Sequence, residues 1–339
     1  MADRATEIGA FLDRAGWASA RRRVLAGDAS ARRYDRLEMN GGSAVLMDDP
    51  AFASGSTARF LAVGDWLAGH GYSVPRVLAA DADRGLLLLE DFGDGVFTAL
   101  LDQRPDEENR LYSGAIDVLS DLHRHAPPKG IPVLDGPALA GLVELALDWY
   151  LPAVGARRGG PAEHLPAMIA DLYGRLPPQP PVVSLRDFHA GNLIWLPGRA
   201  APAHVGLLDF QDAVATHPAY DVVSLLQDAR RDVSPATQVA MVGRYLDRTG
   251  LDGDAFRHAL ALLGAQRQLR ILGVFARLCL RDAKASYVGL IPRVWAHLRR
   301  DLRHPALAEL SDLVAQVLPE PTPERLTMIE NRCATCPSP

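Results

Sequence analysis

Ser184-Leu185-Arg186-Asp187-Phe188-His189-Ala190-Gly191-Asn192 is the most informative stretch of this chain, and a second run, Leu207-Leu208-Asp209-Phe210-Gln211-Asp212, follows it closely. An aspartate, an asparagine five residues later and a second aspartate at the end of a following strand form the constellation that phosphoryl transfer requires. The first carboxylate must lie on a rigid loop within reach of an attacking hydroxyl, which makes Asp187 the candidate catalytic base. Asn192 brings a neutral carbonyl oxygen back to the same place and Asp209 adds a carboxylate. These two are the candidate ligands for the Mg²⁺ that accompanies a triphosphate, because that ion prefers oxygen donors. His189 is placed either to hold the loop by hydrogen bonding or to contact substrate. Each residue type also serves routinely in turns and at strand ends, so the joint pattern carries the reading.

Outward from that stretch, Leu193–Leu196 and His204–Leu208 read as a hairpin joined across Pro197-Gly198-Arg199. The first ~95 residues alternate short strand-like runs with two helical patterns, and the remainder is mostly helical. Residues 4–14 set Ile8, Phe11 and Leu12 on one helical face, and Arg22–Leu25, Arg33–Met39 and Ser43–Met47 read as strands. The turn residues Asn40-Gly41-Gly42 are a strong hairpin signal. A helix from about Ser56 to Ala68 precedes two more strands, Val77–Ala79 and the continuous apolar run Leu86–Leu89, which suits a buried position. Beyond Glu90-Asp91-Phe92-Gly93-Asp94-Gly95 the period becomes helical, with Leu111, Ala115, Val118, Leu119 and Leu122 on one stripe. The expected architecture is α+β: residues 1–95 forming a small lobe around an antiparallel five-stranded sheet, and residues 96–339 a larger, mostly helical lobe.

Composition narrows the function further. The chain of 339 residues carries 36 basic and 41 acidic side chains, a formal charge of −5, and no basic block longer than Arg21-Arg22-Arg23. That is not the electrostatic footprint of a nucleic-acid binder. The N-terminal run Met1-Ala2-Asp3-Arg4-Ala5-Thr6-Glu7 has acids where a signal peptide is basic, and no stretch of ~18 apolar residues occurs, so a cytoplasmic protein without membrane attachment is expected. Cys279, Cys333 and Cys336 are too few for a disulfide framework, and the C-x-x-C pair has no second pair with which to complete a zinc site. Only Lys129 and Lys284 among the basic residues are lysines.

With these motifs in hand, the chain resembles the aminoglycoside phosphotransferase family of small-molecule kinases, which share a bilobal protein-kinase-like fold. The family's catalytic loop, His-x-Asp-x-His-x-x-Asn, is matched at Asp187, His189 and Asn192, with Leu185 in place of the first histidine, and Asp209 matches the metal-binding aspartate. Asp221, in His217-Pro218-Ala219-Tyr220-Asp221, is expected to cap the following helix and brace the catalytic loop. Four further segments are similar to the bacterial anomeric kinases of N-acetylmuramate and N-acetylglucosamine. They are Gly27–Tyr34, Val45–Pro50, Leu89–Asp94 and Gln266–Phe275.

The resemblance implies an ATP- and Mg²⁺-dependent kinase of cell-wall recycling acting on a small amino sugar, and a monomer is expected. The first lobe would bind nucleotide and the second would carry catalysis and the sugar pocket. Gln266, Arg267 and Arg270 would then face the sugar, where a cation suits the lactyl carboxylate of N-acetylmuramate. Gly27, Asp28, Ala29 and Ser30 would form the turn whose backbone amides approach phosphate. Glu90 and Phe92 would lie at the hinge beside adenine. By register, Met47 occupies the strand position at which kinases carry a phosphate-binding lysine. A thioether cannot hold an anion electrostatically, which leaves Arg32 or Arg33 as the candidate replacement. Other hydroxylated acceptors, such as an aminoglycoside, choline or an amino alcohol, stay open. A non-catalytic kinase-like module is the competing class, but it has no need of Asp187, Asn192 and Asp209 together.

Overall fold

The structure, a computed structural model, describes residues 3–25, 32–50 and 55–336. Two compact units divide the chain: Met1–Val118 with Ala190–Ala213, and Leu119–His189 with Val214–Pro339.

In the first unit, β1 (Arg21–Val24), β2 (Arg33–Met39), β3 (Gly42–Asp48), β4 (Val77–Asp81) and β5 (Leu86–Glu90) form an antiparallel sheet in the order β1-β2-β3-β5-β4. The β2–β3 hairpin closes through Asn40 (φ 50°) and Gly41 (φ 78°), the left-handed pair whose twist matches that of the flanking strands. Strand alternation then sorts the side chains. Leu37, Ala44, Leu46, Leu86 and Leu88 pack with Ile8, Phe11 and Leu12 of the helix Arg4–Arg14. Met47 pairs with Tyr34 and Leu87 and is buried on the opposite face. Because β5 is covered on both faces, its run Leu86–Leu89 shows no polar alternation. β7 (Leu193–Trp195) and β8 (Val205–Leu207) form the expected antiparallel pair.

The second unit is built around the 28-residue helix Gly253–Leu280, which packs against the helices Gly136–Leu145, Ala219–Leu226 and Ile291–Asp301. Asp252 caps its start by accepting from the Ala255 N–H at 2.8 Å. At its other end the orphan carbonyls of Cys279 and Leu280 accept from the Ala334 and Cys336 N–H groups, both at 3.0 Å. The C-x-x-C segment therefore serves as a helix terminator, and its cysteines are free thiols. β6 (Val182–Ser184) and β9 (Val214–Thr216) form an antiparallel pair that no periodicity announces, since each is only three residues long. No helix among the described residues is long and apolar enough to cross a membrane.

Candidate active site

The loop that follows β6 belongs to the second unit and is held from below by one carboxylate. Asp221, fully buried, accepts from Ser184 Oγ at 2.6 Å, from the Leu185 N–H at 2.6 Å and from the Arg186 N–H at 3.0 Å. Ser224 Oγ donates to the Arg186 carbonyl at 2.9 Å. These bonds keep Arg186 at φ 66°, a left-handed conformation that a branched-off side chain disfavours. Asp221 thus braces the loop as expected, but it does not cap its own helix. Pro218 stands at the N-cap of Ala219–Leu226, because the Asp221 carboxylate is committed to the loop instead.

Thus positioned, Asp187 is partly exposed, and Arg267 Nη2 lies 3.6 Å from its Oδ1. Burial pushes the Asp187 carboxyl up, but Arg267, Arg270, His189 and Arg186 outweigh that and hold it at about 2. It is a carboxylate throughout the physiological range, suited to orienting a hydroxyl more than to drawing off its proton early. His189 is buried and kept neutral, first by desolvation, with Asp228 opposing. Its Nδ1 is 4.0 Å from Asp228 Oδ2.

Asn192, Asp209, Arg32 and Asp49 belong to the first unit. The Leu208 N–H donates to the Asn192 carbonyl at 3.0 Å, tying the start of β7 to the end of the strand that leads into Asp209. Asp209 sits at φ 56°, left-handed like Arg186 without being glycine, and its Oδ1 accepts from Gln211 Nε2 at 2.7 Å. Arg32 is buried, with Nη1 3.7 Å from Asp209 Oδ1 and Nε 3.4 Å from Asp49 Oδ2. Asp49, itself buried, also accepts from Ser56 Oγ and from Thr57 Oγ1 at 3.1 Å, at the start of the helix Ser56–Gly69. Arg33 is exposed at the first position of β2. Of the two arginines, Arg32 is the one that reaches Asp209.

The remaining candidates are placed as follows. Gly27, Asp28, Ala29 and Ser30 lie outside the described residues. The Glu90 carboxylate is bound by Arg76 Nε at 3.0 Å and Arg199 Nη2 at 2.8 Å, and the Arg199 guanidinium lies over the Phe92 ring, 5.0 Å from its centroid. Gly206 makes room for that ring, since a Cβ there would fall 2.8 Å from Phe92 Cδ2. Arg36 braces the same segment through Asp91 (2.8 Å) and Asp94 (2.6 Å). On the long helix, Arg267 and Arg270 act on Asp187, whereas Gln266 is fully buried and donates to the Leu139 carbonyl at 2.8 Å.

A model of the phosphotransferase enzyme family matches residues 21–260, which contain every one of these loops. The chain belongs to that family. It is 38% identical to the N-acetylmuramate/N-acetylglucosamine kinase of Caulobacter vibrioides over 92% of this chain and 96% of that one. It is 34% identical to the enzyme of that name from Pseudomonas aeruginosa over 86% of each. The fold is that of the GDP complex of the aminoglycoside 2'-phosphotransferase IIIa, with a TM-score of 0.63 at 16% identity over 88% of this chain and 97% of that one.

In this phosphotransferase, Asp49 and Asp228 are the carboxylates beside candidate site residues that sequence reasoning did not single out. Asp49 belongs to the segment Val45–Pro50 that carried the resemblance, yet nothing in a linear reading pairs it with Arg32, 17 residues earlier. Asp228 follows the helix Ala219–Leu226 with no motif around it, and only folding sets it beside His189.

Proposed function

We propose that this phosphotransferase moves the γ-phosphoryl group of ATP to the anomeric hydroxyl of N-acetylmuramate and N-acetylglucosamine, giving the sugar 1-phosphates for cell-wall recycling. The observation that carries this reading is the charge around Asp187. Arg267, Arg270 and Arg186 all act on that carboxylate. An acceptor bearing a carboxylate, as N-acetylmuramate does, is favoured beside such a set, and a polycationic aminoglycoside is repelled. The names of the relatives at 38% and 34% identity support the same acceptor class.

Asp187 orients the acceptor hydroxyl. As its oxygen bonds to the γ-phosphorus, the bond to the bridging oxygen breaks, ADP departs with the electron pair, and the hydroxyl proton leaves by way of Asp187 to solvent. The nucleotide lobe is residues 1–95 and the catalytic lobe residues 96–339, with Gly27–Ser30, Arg32, Arg33, Glu90 and Phe92 on the nucleotide side. Arg267 and Arg270 form the sugar side with His189, and the buried Gln266 supports them by fixing their helix to Leu139. Among the described residues, no three His, Cys, Asp or Glu side chains gather to hold a metal. Asp209 and Asn192 offer two hard oxygens, a set that fits Mg²⁺ completed by phosphate and water, which would neutralise charge on the phosphates. ATP as donor places the reaction in the cytoplasm, and a monomer suffices because one chain carries the whole set.

A phosphoryl-transfer screen with ATP and Mg²⁺ against N-acetylmuramate, N-acetylglucosamine, choline and kanamycin tests the proposal. Turnover is expected on the two amino sugars, and its absence on both rejects the assignment. Asp187→Asn should lower kcat by about 10²-fold or more. Wild-type activity in that variant would remove Asp187 from the mechanism.

A further inference from the structure

Two charged side chains beside the catalytic loop are buried with part of their hydrogen-bonding capacity unused. Asp228 is 4% exposed. Its Oδ1 accepts from the Arg230 N–H at 2.9 Å, while Oδ2 has no hydrogen-bond partner among the described residues and stands 4.0 Å from His189 Nδ1, beyond bonding range. Arg267 is 5% exposed. One of its nitrogens lies 3.6 Å from Asp187, the Tyr220 ring backs its guanidinium at 5.8 Å, and Nε and Nη1 have no partner among the described residues. Native proteins rarely leave such groups unsatisfied, so each calls for an explanation, among them a functional role or a bound partner. These two distances set Asp228 and Arg267 against the same short loop, Asp187–His189.

The chemistry of that pair selects its ligand. A carboxylate would be repelled by Asp228, and an ammonium by Arg267, Arg270 and Arg230. A neutral group offering one N–H and one carbonyl oxygen satisfies both sides, and a secondary amide is such a group. We propose that Asp228 and Arg267 recognise the acetamido group of the acceptor. Its N–H donates to Asp228 Oδ2, and its carbonyl oxygen accepts from Arg267 Nε or Nη1, both as charge-assisted hydrogen bonds. Arg270 is thereby left for the lactyl carboxylate. The inference rests on the amino-sugar reading above and adds to it the residues that read the shared N-acetyl group.

The test compares N-acetylglucosamine with glucose, which has a hydroxyl in place of the acetamido group, in the wild type, Asp228→Ala and Asp228→Asn. Glucose is measured as a competing ligand where its turnover is slow. A site built around a donor and an acceptor should make the wild type prefer the acetamido sugar by about 10²-fold or more in kcat/KM. Asp228→Ala should raise KM for N-acetylglucosamine about 10- to 100-fold and bring the preference to within about 10-fold, with KM for ATP changed less than about twofold. Asp228→Asn keeps the bond from the Arg230 N–H and should fold as the wild type does, with a smaller loss in the same direction. Equal losses on both sugars, or an unchanged preference in both variants, overturn the inference. A wild type that phosphorylates both sugars equally well also overturns it while leaving the kinase reading intact. A wild type that phosphorylates no amino sugar rejects the kinase reading itself.

Discussion

At Met47 the chain lacks the phosphate-binding lysine of kinases, and the proposed substitute is Arg32, a few residues away. Met47 is buried on the sheet face opposite the helix Arg4–Arg14 and pairs with Tyr34, two residues beyond Arg32. Arg32 reaches Asp209 from there, and the buried Asp49, fixed by Ser56 and Thr57, holds its guanidinium from the other side. The surroundings push the Tyr34 hydroxyl up to about 12, chiefly by burial, so it stays a neutral phenol beside them. Of the two neighbouring arginines, Arg32 is the one we propose for nucleotide phosphate on this face. Arg32→Ala should raise KM for ATP about 10-fold, the order expected for losing one charged hydrogen-bonding group, and Arg32→Lys should recover part of it. Steady-state kinetics at saturating acceptor checks this, and an unchanged KM for ATP would remove Arg32 from nucleotide binding. Arg33, which the sequence leaves equally eligible, is exposed at the first position of β2. The choice between neighbours depended on side-chain direction, which no linear reading contains.

Among the elements, the helix Gly253–Leu280 does most to build the proposed acceptor side, because Arg267 and Arg270, which act on Asp187, both lie on it. Its depth in the unit is set at Gly273, where a Cβ would stand 2.1 Å from the backbone carbon and oxygen of Leu145 and 2.6 Å from the Ala146 nitrogen. That contact falls where the helix Gly136–Leu145 gives way to the π-helical turn Ala146–Tyr150, so the close approach is of backbone to backbone. Gly273→Ala must push the helices apart, and a cost of about 1–3 kcal/mol is expected, the range for overpacked cores. Kinetics should show KM for the sugar rising along with the loss in melting temperature. A variant with wild-type melting temperature and KM would show that the helices yield at no cost. The helical character of this region was legible from the sequence, though not the length of this helix, and the hairpin β7–β8 was legible too. The pair β6–β9 was not, because three-residue strands carry no period.

For the molecule as a whole, one buried acid sets a slope of stability with pH. Asp301, at the end of the helix Ile291–Asp301, accepts from Gln227 Nε2 at 3.0 Å, and Gln227 Oε1 accepts in turn from Gln268 Nε2 at 3.1 Å. Its other oxygen has no hydrogen-bond partner among the described residues and abuts Gly264, where a Cβ would lie 2.2 Å away. Burial pushes this carboxyl up to about 7 against the pull of Arg300. The folded state thus holds a proton that the unfolded chain releases near its ordinary value of 3.8. The stabilisation is full below pH about 4 and is lost as pH rises through about 7, and at most ~4 kcal/mol is involved. Asp301→Asn removes that dependence, so its melting temperature should gain on the wild type steadily between pH 4 and pH 8. A constant difference across that range would show that Asp301 is ionised in the fold.

The amino-acid sequence by itself determined the chemistry and the order of the elements. The spacing of Asp187, Asn192 and Asp209, the strand alternation and the hairpin at Asn40-Gly41 are all local, set by patterns that a chain carries before it folds. Tertiary structure alone decided which charges meet. Asp221 reaches back across 36 residues to the Leu185 N–H, Asp49 takes up Arg32, Asp228 comes beside His189, and Gln266 turns into the core while Arg267, its neighbour in sequence, turns to Asp187. The reason is physical. A side chain's electrostatic environment depends on what packing brings within a few ångströms of it, and that is a property of the fold as a whole.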